Sequence, residues 1–128
     1  MKNRDIYTNA LSVLAQDSDT NENSDFEERA PYIIANFCRE AFELDKLMRS
    51  ALGFGASAEF KNVYLPLDSD FPLLDRFAAV GAKYLAAMLI IDENSELSDR
   101  LYDMYCDSMA SLQCAIPAVI EKITNKYL

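Results

Sequence analysis

Residues 76–109, RFAAVGAKYLAAMLIIDENSELSDRLYDMYCDSM, constrain the fold of this chain more than any other stretch. Phe77, Val80, Gly81, Tyr84, Leu85, Met88 and Ile91 recur at three- and four-residue steps. After Asp92, Glu93 and Asn94, the residues Leu97, Leu101, Met104, Tyr105 and Ser108 repeat the pattern. Such steps put side chains on one face of a helix, so the stretch reads as two helices folded back through a polar hinge. A hairpin of this kind buries its own apolar stripe, and the spacing predicts that it anchors the domain. Asn94 or Ser95 is placed to cap the second helix, with Glu96 in the first turn, where the helix dipole favours an acid.

The rest of the chain is consistent with an all-α domain. Three glycines and four prolines in 128 residues are too few for many tight turns and favour long helices. Asn3 or Asp5 can cap a first helix to about Ala15, with Ile6, Ala10, Leu11, Val13 and Leu14 available for burial. A second helix, about 25–52, draws an apolar stripe through Phe26, Ala30, Ile33, Ile34, Phe37, Cys38, Ala41, Phe42, Met48 and Leu52. Ser24 stands three residues before Glu27, the spacing of a capping box. Pro31 lacks the N–H and crowds the preceding turn, which predicts a kink or a helix start nearer that residue. Gly53 and Gly55 close the helix.

Phe60, Val63, Tyr64 and Leu65, followed by Pro66, give 56–70 the one strand-like content, and it is too small for a sheet of its own. Ser69 or Asp70, with Pro72 in the first turn, predicts the start of the next helix. Pro117 ends or kinks the helix before it. The expected architecture is a single all-α domain over 1–128, a bundle of four to five helices. It comprises an acidic loop at 16–25, an extended or hairpin-like arm at 54–70, a helical hairpin at 71–115 and a C-terminal helix at 117–127.

The net charge of −9 argues against sequence-specific nucleic-acid binding and against an anionic membrane surface, both of which rest on Lys and Arg. A basic partner surface is compatible with it. With no histidine, the chain lacks the usual general base, most zinc sites and every Ser-His or Cys-His pair. It also lacks the Glu-x-x-His pairs of di-metal helical bundles. Cys38, Cys106 and Cys114 form no CxxC and read as reduced, buried thiols of a cytosolic protein. The opening residues do not read as a signal peptide, and the longest apolar run, near 86–91, is far below the roughly 20 residues of a membrane span. The expectation is a cytoplasmic, non-enzymatic protein without a cofactor.

One stretch has the density of hard oxygens that calcium needs. Counted as a calcium loop, 17–28 puts Asp17, Asp19 and Asn21 at ligand positions one, three and five, Asp25 at nine and Glu28 at twelve. Glu22 stands where glycine makes the sharp turn, Ser24 stands where an aliphatic residue pairs with a sister loop, and no second loop follows. A solvated acidic linker explains the same letters, and no metal is assigned. Asp68, Asp70 and Asp75, like Asp92, Glu93 and Glu96, surround helix starts, where acids are favoured by the dipole without any catalytic role. Tyr84, Tyr102, Tyr105, Phe71 and Phe77 form an aromatic set at core spacing, and Met88, Met104 and Met109 read as core filler.

Three stretches together resemble the small helical head-to-tail connector (adaptor) proteins of tailed bacteriophages and prophages. The opening run from Asp5, Ile6 and Tyr7 through Ala10, Leu11 and Leu14 is similar to their short first helix. Val63-Tyr64-Leu65-Pro66-Leu67-Asp68 resembles their extended segment, and GAKYLAAMLIIDENSEL followed by a Tyr-rich helix resembles their central helix pair. The resemblance implies a homo-oligomeric ring seated on the phage portal and presenting a surface to a tail-completion protein. It implies location in the cytoplasm of a bacterial host and then in the virion. Val63, Tyr64 and Leu65 are the candidate oligomer contact, because an extended arm can pair with a neighbour. The alternative class is a small acidic regulatory or ligand-binding bundle, calcium-responsive through 17–28.

Overall fold

The structure, a computed structural model, describes residues 1–14, 23–55 and 60–115. Among them the chain is all-α, with four helices and no strand: α1 (Asn3–Leu14), α2 (Asn23–Leu52), α3 (Ala78–Ile90) and α4 (Ser95–Ala115). The terminal helix expected over 117–127 lies outside the described residues, as do 16–22 of the acidic loop and 56–59 of the expected arm.

α3 is the centre. Its thirteen residues are rich in alanine, and Val80, Gly81, Tyr84, Leu85, Leu89 and Ile90 are buried together with most of those alanines. Small side chains let neighbouring helices approach closely, and α1, α2 and α4 all pack against α3. The hairpin is thus more than a self-covering pair, because α3 is buried on nearly every side. The largest fully enclosed side chains, Phe26, Phe37 and Phe77, come from α2 and from the 3-10 turn Asp75–Phe77 before α3. Burying each stabilises the fold by about 1.5–3 kcal/mol.

α1 lays Ile6, Tyr7, Ala10 and Leu14 into the core, while Val13 is exposed. Its cap differs from the expectation. Asp5 accepts the backbone N–H of Lys2 at 3.0 Å, so Asp5 works one turn inside the helix. The orphan N–H groups of Asn3 and Arg4 reach the carbonyls of Ser69 (3.0 Å) and Leu67 (2.8 Å). The Asn3 side chain is fully buried and donates to the carbonyl of Pro66 and to Ser69 Oγ, both at 3.0 Å. Lys2 and Asp70 form an isolated antiparallel bridge beside it.

α2 runs on through Pro31, so the later start expected near that residue is not found. Pro31 is buried, and its carbonyl accepts the N–H of Leu65 at 3.1 Å. The proline therefore marks where the 60–67 segment lies against the helix. α2 begins at Asn23, which places Ser24 inside the helix and not at its cap. At the other end Gly53, at φ 80°, closes α2: its N–H reaches Ser50 at 3.3 Å and that of Phe54 reaches Arg49 at 2.8 Å. That pair of bonds is a Schellman closure, in which glycine supplies the left-handed conformation.

The helix expected from Ser69 or Asp70 starts later, at the 3-10 turn. Ser69 is engaged in a turn from Pro66, its N–H and hydroxyl both donating to the Pro66 carbonyl (3.0 and 2.7 Å). The N–H of Leu74 is instead taken by Asp45 Oδ1 of α2 at 2.9 Å. Asp45 is fully buried and is held by Arg49 Nε at 2.9 Å, while the other arm of Arg49 donates to the Pro72 carbonyl at 3.2 Å. A carboxylate from α2 thus does the capping that the local letters suggested Ser69 or Asp70 would do.

At the hinge, Asn94 is the cap: its Oδ1 accepts the N–H of Leu97 at 3.1 Å. In α4 the buried positions are Ser98, Leu101 and Tyr105. Met104, expected in the stripe, is exposed, because it falls to the side of the line through Leu101 and Tyr105. Cys106 and Cys114 are likewise exposed, and only Cys38 is buried as expected.

Candidate functional site

The candidate contact Val63, Tyr64 and Leu65 divides in two. Leu65 is buried and fastened to Pro31, whereas Val63 and Tyr64 face solvent at 60% and 45% exposure. The segment forms no strand and runs along the N-terminal half of α2. There the Tyr64 ring meets Tyr32, itself 57% exposed, edge to face with centroids 5.0 Å apart. Two solvent-facing tyrosines hold each other in place on a surface that the packing of Leu65 and Leu67 fixes below.

A groove of about 420 Å³ opens beside Tyr32. Ile33 and Asn36 of α2 form one wall, Tyr84 and Met88 of α3 the other, and Ile91 closes the end. Ile91 was expected in the core stripe. α3 stops at Ile90, so Ile91 begins the hinge turn and is half exposed. On the groove floor the Asn36 side-chain amide donates to the Tyr84 hydroxyl. Burial pushes the Tyr84 phenol up to about 12, with the hydrogen bond to Glu40 adding to the effect, so it stays protonated at neutral pH. Tyr84 also packs on Tyr105 at 5.0 Å and on Phe37 at 5.7 Å, which joins the groove floor to the core.

Arg29 shapes the groove's upper end. Its guanidinium donates to the carbonyl of Met88 at 3.0 Å and to that of Leu89 at 3.5 Å, and it pairs with Asp25 at 3.4 Å. The Ile90 carbonyl accepts the N–H groups of Glu93 and Asn94 at 3.0 and 2.9 Å. The last carbonyls of α3 are therefore answered by a cation and by the hinge, as the negative end of a helix requires. Arg29, Tyr32 and Asn36 fall between the apolar positions of α2, so hydrophobic periodicity does not mark them. An aromatic residue on the polar side of an amphipathic helix was the available clue.

On the far side of Tyr64 lies a smaller cleft, about 300 Å³, crossed by Arg4. Arg4 reaches Asp68 and Glu27, each at 3.1 Å, and these hydrogen bonds raise its pKa. Asp70 pairs with Lys2 at 3.2 Å. Two of the acids singled out near 68–75 thus tie α1 to the turn at 66–70.

Asp17, Asp19 and Asn21 of the calcium reading lie outside the described residues. Asp25 and Glu28 are both helical in α2, Asp25 is paired with Arg29, and Glu28 is exposed. Since α2 starts at Asn23, position seven of the counted loop is already helical, where such a loop turns a carbonyl to the ion. Among the described residues no group of three His, Cys, Asp or Glu side chains could hold a metal. Burial pushes the Cys38 thiol up to about 12, so at neutral pH it is no nucleophile. No helix among the described residues is long and apolar enough to cross a membrane. The arrangement presents shape and exposed apolar area more than reactive groups. No protein-family model, curated protein or solved structure matches the chain.

Proposed function

We propose that this chain is a non-enzymatic assembly subunit of the phage head-to-tail connector type, forming a homo-oligomeric ring on a portal and offering a surface to a tail-completion protein. The observation that carries this reading is the exposed surface of Val63 and Tyr64 braced by Tyr32. Tyrosine supplies large contact area with a polar tip, which suits a surface that is wet before association and dry after it. Leu65 and Leu67 are buried beneath, so the surface is already ordered and association does not have to fix it. A contact between unlike surfaces of neighbouring copies closes into a ring when the rotation per subunit allows it. The resemblance at 63–68 and at the α3–α4 hairpin points to the same use. Such a subunit works in the bacterial cytoplasm during assembly and then in the virion.

Size exclusion with light scattering, for the chain alone and with a co-expressed portal protein, tests the proposal. Higher-mass species that grow with concentration or with portal are expected, and Val63→Asp and Tyr64→Asp should weaken them without loss of helicity. A chain that stays monomeric at every concentration and ignores portal overturns it.

A further inference from the structure

We infer that the cleft at the C-terminal end of α2, lined by Leu52, Phe54, Leu74, Asp75 and Arg76, receives the Val63–Tyr64 arm of a second copy of this chain. The inference rests on the reading of that arm as a contact between copies, and it supplies the counterpart surface. The cleft holds about 430 Å³, and its apolar wall is open to solvent, Leu52 at 40% and Phe54 at 55% exposure. The closure at Gly53 fixes Phe54 through its N–H bond to the Arg49 carbonyl. Across the cleft, the N–H of Leu74 is held by Asp45. Both walls are thus set before anything binds.

Charge matches the two surfaces. Glu28 stands one turn before Tyr32 on the same face of α2 and is exposed beside Tyr64. Arg4 is spent on Glu27 and Asp68, which leaves Glu28 without an ion pair among the described residues. At the other end of α2, Arg76 is exposed and its guanidinium reaches Met48 Sδ at 3.7 Å, with no carboxylate paired to it among the described residues. Docking sets the Tyr64 ring between Phe54 and Leu74, brings Arg76 to Glu28, and lets Asp75 accept the Tyr64 hydroxyl. Arm against arm would instead turn Glu28 of one copy toward Glu28 of the next, which like charge opposes. Leu52 follows Tyr32 by about five and a half helical turns, roughly 30 Å, so the two surfaces lie at opposite ends and on opposite sides of α2. No copy can fill its own cleft, and each copy that docks offers a cleft to the next, the head-to-tail arrangement that closes into a ring.

Light scattering on the full chain across a range of concentrations, with a charge swap, tests this. Glu28→Arg and Arg76→Glu should each weaken association about tenfold, and the double variant should recover it. Tyr64→Asp and Phe54→Asp proteins should each be monomeric alone. Mixed in equal amounts they should form dimers and stop there, because one arm and one cleft remain between them. Helicity is checked for every variant. The inference is overturned if Arg76→Glu and Phe54→Asp leave the masses unchanged, if the double variant does no better than the single ones, or if Phe54→Asp protein dimerises through its own arms. A wild-type chain that stays monomeric overturns it too. Tyr64-dependent binding to co-expressed portal, with no effect of Arg76→Glu or Phe54→Asp, ends this inference and leaves the connector reading standing. Recovery by the charge swap in a chain that ignores portal ends the connector reading and keeps this one.

Discussion

The Phe37 ring lies directly on the α3 backbone at Gly81. A Cβ at Gly81 would fall 2.8 Å from Phe37 Cε2 and 3.0 Å from Cδ2, inside the distance real side chains tolerate. Phe37 is fully buried and stacks toward Tyr84 and Tyr105, so the ring has no free side to move into. Gly81→Ala gains up to about 1 kcal/mol of helix propensity but incurs about 1–3 kcal/mol of overpacking. A net loss of about 1 kcal/mol is expected by chemical denaturation. Phe37→Leu in the same chain should cost less than it does alone, the coupling expected of two groups competing for one space.

Asp45 gives the second prediction. Its carboxylate is fully buried and answers two donors, Arg49 and the N–H of Leu74, both at 2.9 Å. Asp45→Ala leaves the Leu74 N–H without that acceptor and the Arg49 guanidinium, still partly exposed, without its ion pair. A loss of about 2–4 kcal/mol is expected from equilibrium unfolding. Amide exchange should rise first at 72–77, because that segment is fastened through Asp45 and Arg49. An unchanged exchange pattern there would refute the capping role assigned to Asp45.

That clamp also shows where the sequence stops being legible. Periodicity locates all four helices, because burial of one face is a local property of spacing. The hinge cap at Asn94 and the closure at Gly53 are legible for the same reason, since each acts within five residues. The start of α3 is not, because Ser69 and Pro72 form a sound local signal that a distant residue overrides. Asp45 lies 29 positions from Leu74, and Asn3 lies 63 from Pro66. The inward turn of Leu65 likewise depends on Pro31, and the exposure of Ile91 depends on where α3 stops. The surface around Tyr32 and Tyr64 was half legible: the arm carried apolar letters, but its partner was on another helix.

Alkaline pH should unfold the chain through its buried phenol and thiol. Burial raises Tyr84 from 10.0 to about 12 and Cys38 from 9.0 to about 12, and Tyr105 shifts the same way. Each group holds its proton in the native state over a range where the unfolded chain has released it. Their contributions are therefore fully present below about pH 9 and are lost as pH rises toward about 12. Unfolding free energy measured across that range should fall steadily. Tyr84→Phe should flatten the part above pH 10 and Cys38→Ala should reduce the earlier decline. Tyrosinate absorbance rising in one step at the ordinary phenol pKa, in protein still folded, would contradict the burial of Tyr84 and Tyr105.

The hinge gives the most local test. Asn94 caps α4 through the N–H of Leu97, and its own carbonyl accepts Ser98 N–H at 3.0 Å. Ser98 in turn donates its buried hydroxyl to the Ala87 carbonyl at 2.9 Å, stitching the two arms of the hairpin one turn below the hinge. Asn94→Ala removes the side-chain acceptor and should cost about 1 kcal/mol, whereas Asn94→Asp keeps an acceptor and adds a charge that the helix N-terminus favours. Ser98→Ala removes a donor and leaves the Ala87 carbonyl with its helical partner, so about 1 kcal/mol is again expected. The two sites sit on one turn of α4, so the double variant should depart from additivity. Strict additivity in urea unfolding would mean that the cap and the stitch hold the hairpin independently.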